Sequence, residues 1–145
     1  MLTLDDQPFS QGRASYFDRD PARTEQTAKI YVQVEPEGLH SVILAQLDTG
    51  APWSILDREI ATAIGAFEAA GEVTKVSARS STYEGKLVKL RVTLLATAGA
   101  SLDVDATVFV SSDWPLGTFI GYGGFLQSIR FAIDPSTNGI YFGTW

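Results

Sequence analysis

The chain has no cysteine, a single histidine (His40) and fewer basic residues than acidic ones, 11 against 17. Without cysteine, disulfides, thiol catalysis and thiolate metal sites are excluded. With one histidine, a Ser-His-Asp relay or a multi-histidine metal site would have to be built around His40 alone. The net charge of −6 argues against steering toward nucleic acid or anionic membrane. No stretch approaches the 18 or so apolar residues of a membrane span. The opening MLTLDDQPFSQG has neither a basic nor an apolar leader segment, so a cytoplasmic setting is expected. What the chain does have is 145 residues that are 45% hydrophobic, enough for one domain with its own core.

Residues 1 to 27 are polar and carry Asp5, Asp6, Asp18 and Asp20 with little periodicity. They read as an N-terminal arm or poorly ordered lead-in. From Ala28 to Trp145 the chain reads as one mostly-β domain. AKIYVQVE alternates, with Ile30, Val32 and Val34 on one face. LHSVILAQL is almost continuously apolar, which predicts a strand buried on both faces. Asp57 is placed to cap a short helix over DREIATAIGA. VTKVSA and KLVKLRVTLLA alternate again and flank a polar segment, Ser77 to Gly85, suited to a hairpin tip. SLDVDATVFV is a further strand. Phe125, Leu126 and Ile129 have helical spacing, and Asn138-Gly139 signals a closing hairpin.

The chemistry concentrates in AQLDTGAPWSIL, Ala45 to Leu56. Asp, Thr and Gly are turn residues, and the tripeptide alone arises by chance in roughly a few per cent of chains this long. Here both flanks are apolar, which predicts that Asp48 lies deep. A buried carboxylate is costly unless it is protonated, hydrogen-bonded or paired. No basic residue lies close in sequence except Arg58, on the expected helix. A second carboxylate sharing one proton resolves the difficulty: one keeps the proton as a general acid, and the other activates a water.

LDTGAPWSIL resembles the active-site segment of aspartic proteases. Phe119-Ile120-Gly121 with the following GGFLQSI is similar to the apolar-apolar-Gly-plus-helix element that packs beneath the catalytic loop in that family. With one D-T-G per chain, the resemblance is to the retropepsin-like branch and extends from about Ala28 to Phe142. It implies an all-β, retropepsin-like closed barrel or sandwich with one or two short helices. It implies a homodimeric aspartic endopeptidase that needs no cofactor or metal and cleaves an extended peptide or protein. Asp48 would be the catalytic acid or base, one from each chain. Thr49 would brace the loops across the dimer axis, Gly50 would supply an N–H to the carboxylate, and Gly121 would allow close packing below. Ala51 stands where pepsins have a hydroxyl, and Tyr122 where retroviral relatives often have an arginine. With one donor fewer the charged form is stabilised less, so activity is expected at mildly acidic to near-neutral pH. The hairpin would be a flap, with Ser80, Ser81, Thr82 and Tyr83 over the substrate. The alternatives are a peptide-binding or dimerisation module of this fold without appreciable proteolysis, and a processing protease with one native target.

The remaining polar features have plainer readings. His40 suits a solvated strand end, and Asp103 and Asp105 suit the wet face of a half-buried strand. Asp134-Pro135 initiates a turn. The glycines at 121, 123 and 124 match neither dinucleotide nor P-loop spacing. Trp114 and Trp145 are expected in the core or an interface.

Overall fold

A computed structural model describes residues 1–22 and 29–145. In chain order its strands begin with β1 (Thr3–Leu4), β2 (Gln7–Pro8), β3 (Gly12–Ser15), β4 (Tyr31–Pro36), β5 (Ile43–Leu47) and β6 (Ser54–Ile55). Helix α1 (Arg58–Ala63) follows, then β7 (Glu72–Ala78), β8 (Ser81–Leu94), β9 (Ala98–Gly99) and β10 (Leu102–Val110). The chain ends with β11 (Phe119–Ile120), β12 (Arg130–Asp134) and β13 (Gly139–Gly143).

The main sheet runs β10-β6-β11-β5-β4-β8-β7, and a further β10–β8 pairing closes six of these strands into a barrel. Closure removes exposed edges, and β7 hangs outside the ring on β8 alone. The alternation that marked these strands in sequence fills the barrel. Val32 and Val34 of β4, Val88, Val92 and Leu94 of β8, and Val104, Ala106 and Val108 of β10 are all at most 4% exposed. Opposite faces carry the polar set: Arg91 pairs with Asp105 at 3.2 Å, and Thr93 donates to Asp103 at 2.6 Å. A second sheet, β12-β13-β3-β9, adds Ile140 and Phe142 to the same core.

The strand topology that positions the site is a threaded one. β5 and β6 are consecutive strands, yet β11 lies between them, parallel to β5 and antiparallel to β6. Two chain segments distant in sequence are thereby brought to one sheet row, with Asp48 at the end of β5 and Gly121 at the end of β11.

Several expectations meet a different outcome. Within residues 1 to 27, β3 is hydrogen-bonded between β13 and β9, and Ala14 and Tyr16 are buried. That part of the lead-in is built into the body of the fold; Thr27 and Ala28, on either side of the expected boundary, lie outside the described residues. β5 is not buried on both faces: only Ala45 is fully enclosed. Ile43 and Leu47 pack on the core, while Leu44 faces an open cleft. The expected second helix is a single 3-10 turn, Leu126–Ser128, although Phe125, Leu126 and Ile129 are buried as their spacing required. A left-handed Gly124 (φ 70°) and a non-helical Phe125 (φ −142°, ψ −80°) leave no room for a longer helix before β12 begins at Arg130. Asp57 does cap α1, accepting from Glu59 N and Ile60 N. The last hairpin closes through residues 135–138, with Asp134 opposite Gly139 and Asn138 left-handed at φ 50°. Trp114 is in the core at 3% exposure, whereas Trp145 is 77% exposed and stacks on Arg130.

Candidate active site

The Asp48 loop is held from below by main-chain bonds. Asp48 N donates to Ile120 O at 2.9 Å, continuing the β5–β11 row. Ala51 N then turns back to Asp48 O at 3.2 Å, Tyr122 N donates to Ala51 O at 2.9 Å, and Gly123 N donates to Pro52 O at 3.0 Å. At the side chain, Gly50 N donates to Asp48 Oδ1 at 2.9 Å.

Beneath the loop the backbones of the two segments almost touch. A Cβ on Gly121 would sit 2.2 Å from Trp53 O and 2.8 Å from Ser54 N, so no larger residue fits. Gly121 N donates to Ser54 Oγ at 3.0 Å, and Ser54 is 3% exposed. Ser54 is a further residue that positions the loop. Its signal was available: a serine inside an otherwise apolar WSIL needs a partner when it is buried.

Asp48 is half-buried and Thr49 and Gly50 are exposed, so the expectation of a deep carboxylate does not hold within one chain. The apolar flanks face a cleft that is open to water, and apolar lining around a ligand site reads in sequence like core. Among the described residues of the chain, the Thr49 hydroxyl has no hydrogen-bond partner.

Over the loop hangs the β7–β8 hairpin. Arg79 (φ 50°) and Ser80 (φ 64°) are both left-handed, the geometry of a two-residue hairpin turn that follows the twist of its strands. The register pairs Ala78 with Ser81, Ser77 with Thr82 and Val76 with Tyr83. Ser80 is therefore at the tip, and Ser81 and Thr82 lie on exposed strand, the Thr82 hydroxyl 3.3 Å from Ser77 Oγ. Tyr83 packs edge-on against Trp114 (5.1 Å, 80°), which meets Phe119 in the same way (5.8 Å, 80°). Trp114 Nε1 donates to Gly117 O at 2.9 Å, so its buried N–H is satisfied.

Between hairpin and loop is a cleft of about 360 Å³. Its floor is Asp48, Gly50 and Ala51, its roof is Val76 to Arg79, and Trp114, Leu116 and Phe119 form an apolar wall. A second compartment of about 300 Å³ adjoins it, lined by Leu44, Thr118 and Asp20. Of the hairpin residues expected over a substrate, Ser80 to Tyr83, none lines either space; the roof comes from the β7 arm instead. Two basic residues, Lys29 and Arg79, line both compartments. Among the described residues no group of three or more His, Asp or Glu side chains is placed to hold a metal ion. No helix of the described residues is long and apolar enough to cross a membrane.

No family model and no curated protein matches the sequence. Solved structures do match the fold. A retropepsin-like aspartic protease from Rickettsia conorii superposes with a TM-score of 0.58 at 16% identity, covering 91% of this chain and 98% of that one. The retroviral protease-like domain of Ddi1 from Leishmania major gives 0.52 at 18% identity, covering 79% and 94%. This chain has the retropepsin-like fold. The closed barrel, the strand threaded between β5 and β6, and the hairpin over the Asp48 loop are that fold as this sequence builds it.

Proposed function

We propose that the chain is an aspartic endopeptidase in which two copies each contribute one Asp48 to a shared site. The observation that carries the reading is the placement of Asp48: at the end of β5, held by Ile120 O and Gly50 N, on the floor of a cleft roofed by a hairpin. The retropepsin-like fold and the single D-T-G support it, as do the exposed Thr49 and Gly50, which leave the loop accessible to a second copy. The unit proposed for this activity is the domain running from residue 28 to 145, completed by β3.

With two carboxyl groups in contact, one is protonated and the other is not, and the titration belongs to the pair. The ionised carboxylate takes a proton from a water held between them. The water oxygen attacks the scissile carbonyl carbon, and the protonated partner gives its proton to the carbonyl oxygen. The resulting gem-diol collapses as a proton passes to the amide nitrogen and the C–N bond breaks. An extended peptide would lie under the hairpin by strand-like main-chain bonding, with side-chain pockets giving preference.

The test is cleavage of a mixed peptide pool by wild type and by Asp48→Asn, read by mass spectrometry. Cleavage by wild type only is expected. Equal cleavage by both removes Asp48 from the mechanism. Binding by both with cleavage by neither leaves a peptide-binding module of this fold.

A further inference from the structure

Among the described residues each compartment of the cleft carries two basic lining residues against one acidic one, in a chain that is acidic overall. The chain has 11 basic residues against 17 acidic ones, and among the described residues the basic ones on the wall common to both compartments are Lys29 and Arg79. They arrive from unrelated parts of the chain. Lys29 lies just before β4, where its N–H donates to Asp18 O at 3.1 Å. Arg79 sits at the hairpin tip, in the left-handed turn that aims it back over the cleft. Neither head group has a carboxylate or hydrogen-bond partner among the described residues. Other exposed basic side chains on neighbouring strands are engaged with the protein itself: Lys75 pairs with Glu84 at 3.4 Å, Arg91 with Asp105 at 3.2 Å, and Lys89 donates to Thr107 Oγ1 at 2.7 Å. Among the described residues the acidic lining is Asp48 and, in the outer compartment, Asp20, which accepts from Ala22 N at 2.9 Å.

A cation on a cleft wall with no carboxylate partner in its own chain is stabilised by an anion that arrives with the ligand. The rest of the wall, Leu116, Phe119 and Trp114, favours an apolar neighbour. We infer that the site selects peptides carrying a glutamate or aspartate beside apolar residues, with Lys29 and Arg79 as the specificity-determining pair. This deepens the peptide-hydrolase reading and rests on its assignment of the cleft as the peptide site. In a dimer the two copies would present four such cations around one shared proton. Electrostatic steering would then raise the association rate of acidic peptides and make it sensitive to salt.

The experiment uses Asp48→Asn chain, which holds peptide without cutting it, and short apolar peptides with one glutamate moved through each position. Each has a glutamine counterpart. Affinity is read by fluorescence anisotropy at low and high ionic strength. At one or more positions glutamate should bind about fivefold more tightly than glutamine, as expected of partly screened ion pairs. The gap should narrow in about 0.5 M salt. It should vanish when Lys29→Gln and Arg79→Gln are added together, with the melting temperature unchanged. Equal affinity at every position, a gap that survives the double substitution, or no binding of either peptide series overturns the inference. Cleavage by wild type without charge preference would overturn this inference alone. Charge-selective binding without cleavage would instead overturn the hydrolase reading.

Discussion

Replacing Gly121 with alanine tests how the Asp48 loop is held. The added Cβ would lie 2.2 Å from Trp53 O and 2.4 Å from Trp53 C, both main-chain atoms that cannot swing aside. To reach ordinary contact the two segments must part by about 1 Å. The 3.0 Å bond from Gly121 N to Ser54 Oγ would then lengthen to roughly 4 Å, beyond hydrogen bonding. Overpacking of this kind costs about 1–3 kcal/mol, and a buried N–H left without an acceptor about 1–3 kcal/mol more. Together that is about 2–6 kcal/mol, or a melting temperature lower by about 8–24 °C at roughly 4 °C per kcal/mol. The same displacement carries Ile120 O away from Asp48 N, so cleavage should fall even where the variant is still folded. Gly117→Ala is the control, because nothing lies within 4 Å of its added Cβ. It should melt within about 2 °C of wild type. The assay is thermal unfolding followed by circular dichroism, with all variants at one protein concentration because association would shift the midpoint. A Gly121→Ala chain that melts with the control would refute the close approach.

Ser54→Ala removes the acceptor alone and should lower the urea midpoint by an amount equivalent to about 1–3 kcal/mol, with an unchanged slope. An unchanged midpoint would mean that Gly121 N has another partner. Asp134 accepts from Ser136 Oγ, Ser136 N and Thr137 Oγ1, and these bonds hold its carboxyl below the usual carboxylate range. The folded form therefore gains stability that is complete above the ordinary carboxylate range and lost as pH falls through the depressed value. Asp134→Asn should be less stable than wild type near neutral pH, and the two curves should converge in acid; a constant gap across pH would contradict the linkage. Mixing wild type with an equal amount of Asp48→Asn should roughly halve the cleavage by the wild-type chains, because half of them are then in mixed pairs. Undiminished cleavage would show that one chain suffices.

The parts of the molecule that were legible in the sequence are those whose cause is local. Alternation over Val32–Val34, Lys86–Ala96 and Leu102–Val110 reports a half-buried strand whatever it pairs with, and those segments line the barrel. Asp57 before an apolar-periodic stretch is a cap by itself. The D-T-G stood out because a turn with apolar flanks on both sides is locally inconsistent. What was hidden depended on distant pairing. Gly-Arg-Ala-Ser, residues 12–15, has one apolar side chain and no strand signature, and it becomes β3 because β13 and β9 supply both of its neighbours. The hairpin tip carries Arg79-Ser80 in place of Asn-Gly or Asp-Gly, so the turn was located only to within the polar segment. Lys29 and Arg79 share a cleft wall only after β4 and β7 are both in place.

β5 looked like a strand buried on both faces because Ile43, Leu44, Ala45 and Leu47 are all apolar. The structure divides them: Ile43, Ala45 and Leu47 serve the core, and Leu44, next to Gln46, faces the cleft. A strand with core on one side and an apolar binding surface on the other has the composition of a doubly buried strand, since both faces select against charge. The first charged residue after such a strand then marks where the cleft meets a polar group, and just past the end of β5 that residue is Asp48. Its backbone is fixed by bonds from within the chain, through Ile120 O below it and the Gly121–Ser54 contact beyond. Its side chain, by contrast, has one protein donor, Gly50 N, among the described residues. The single chain thus accounts for where the carboxylate is, but among the described residues it supplies no second group with which Asp48 could share a proton. That asymmetry between a fully determined backbone and a half-provided side chain is what a site completed by a second copy requires.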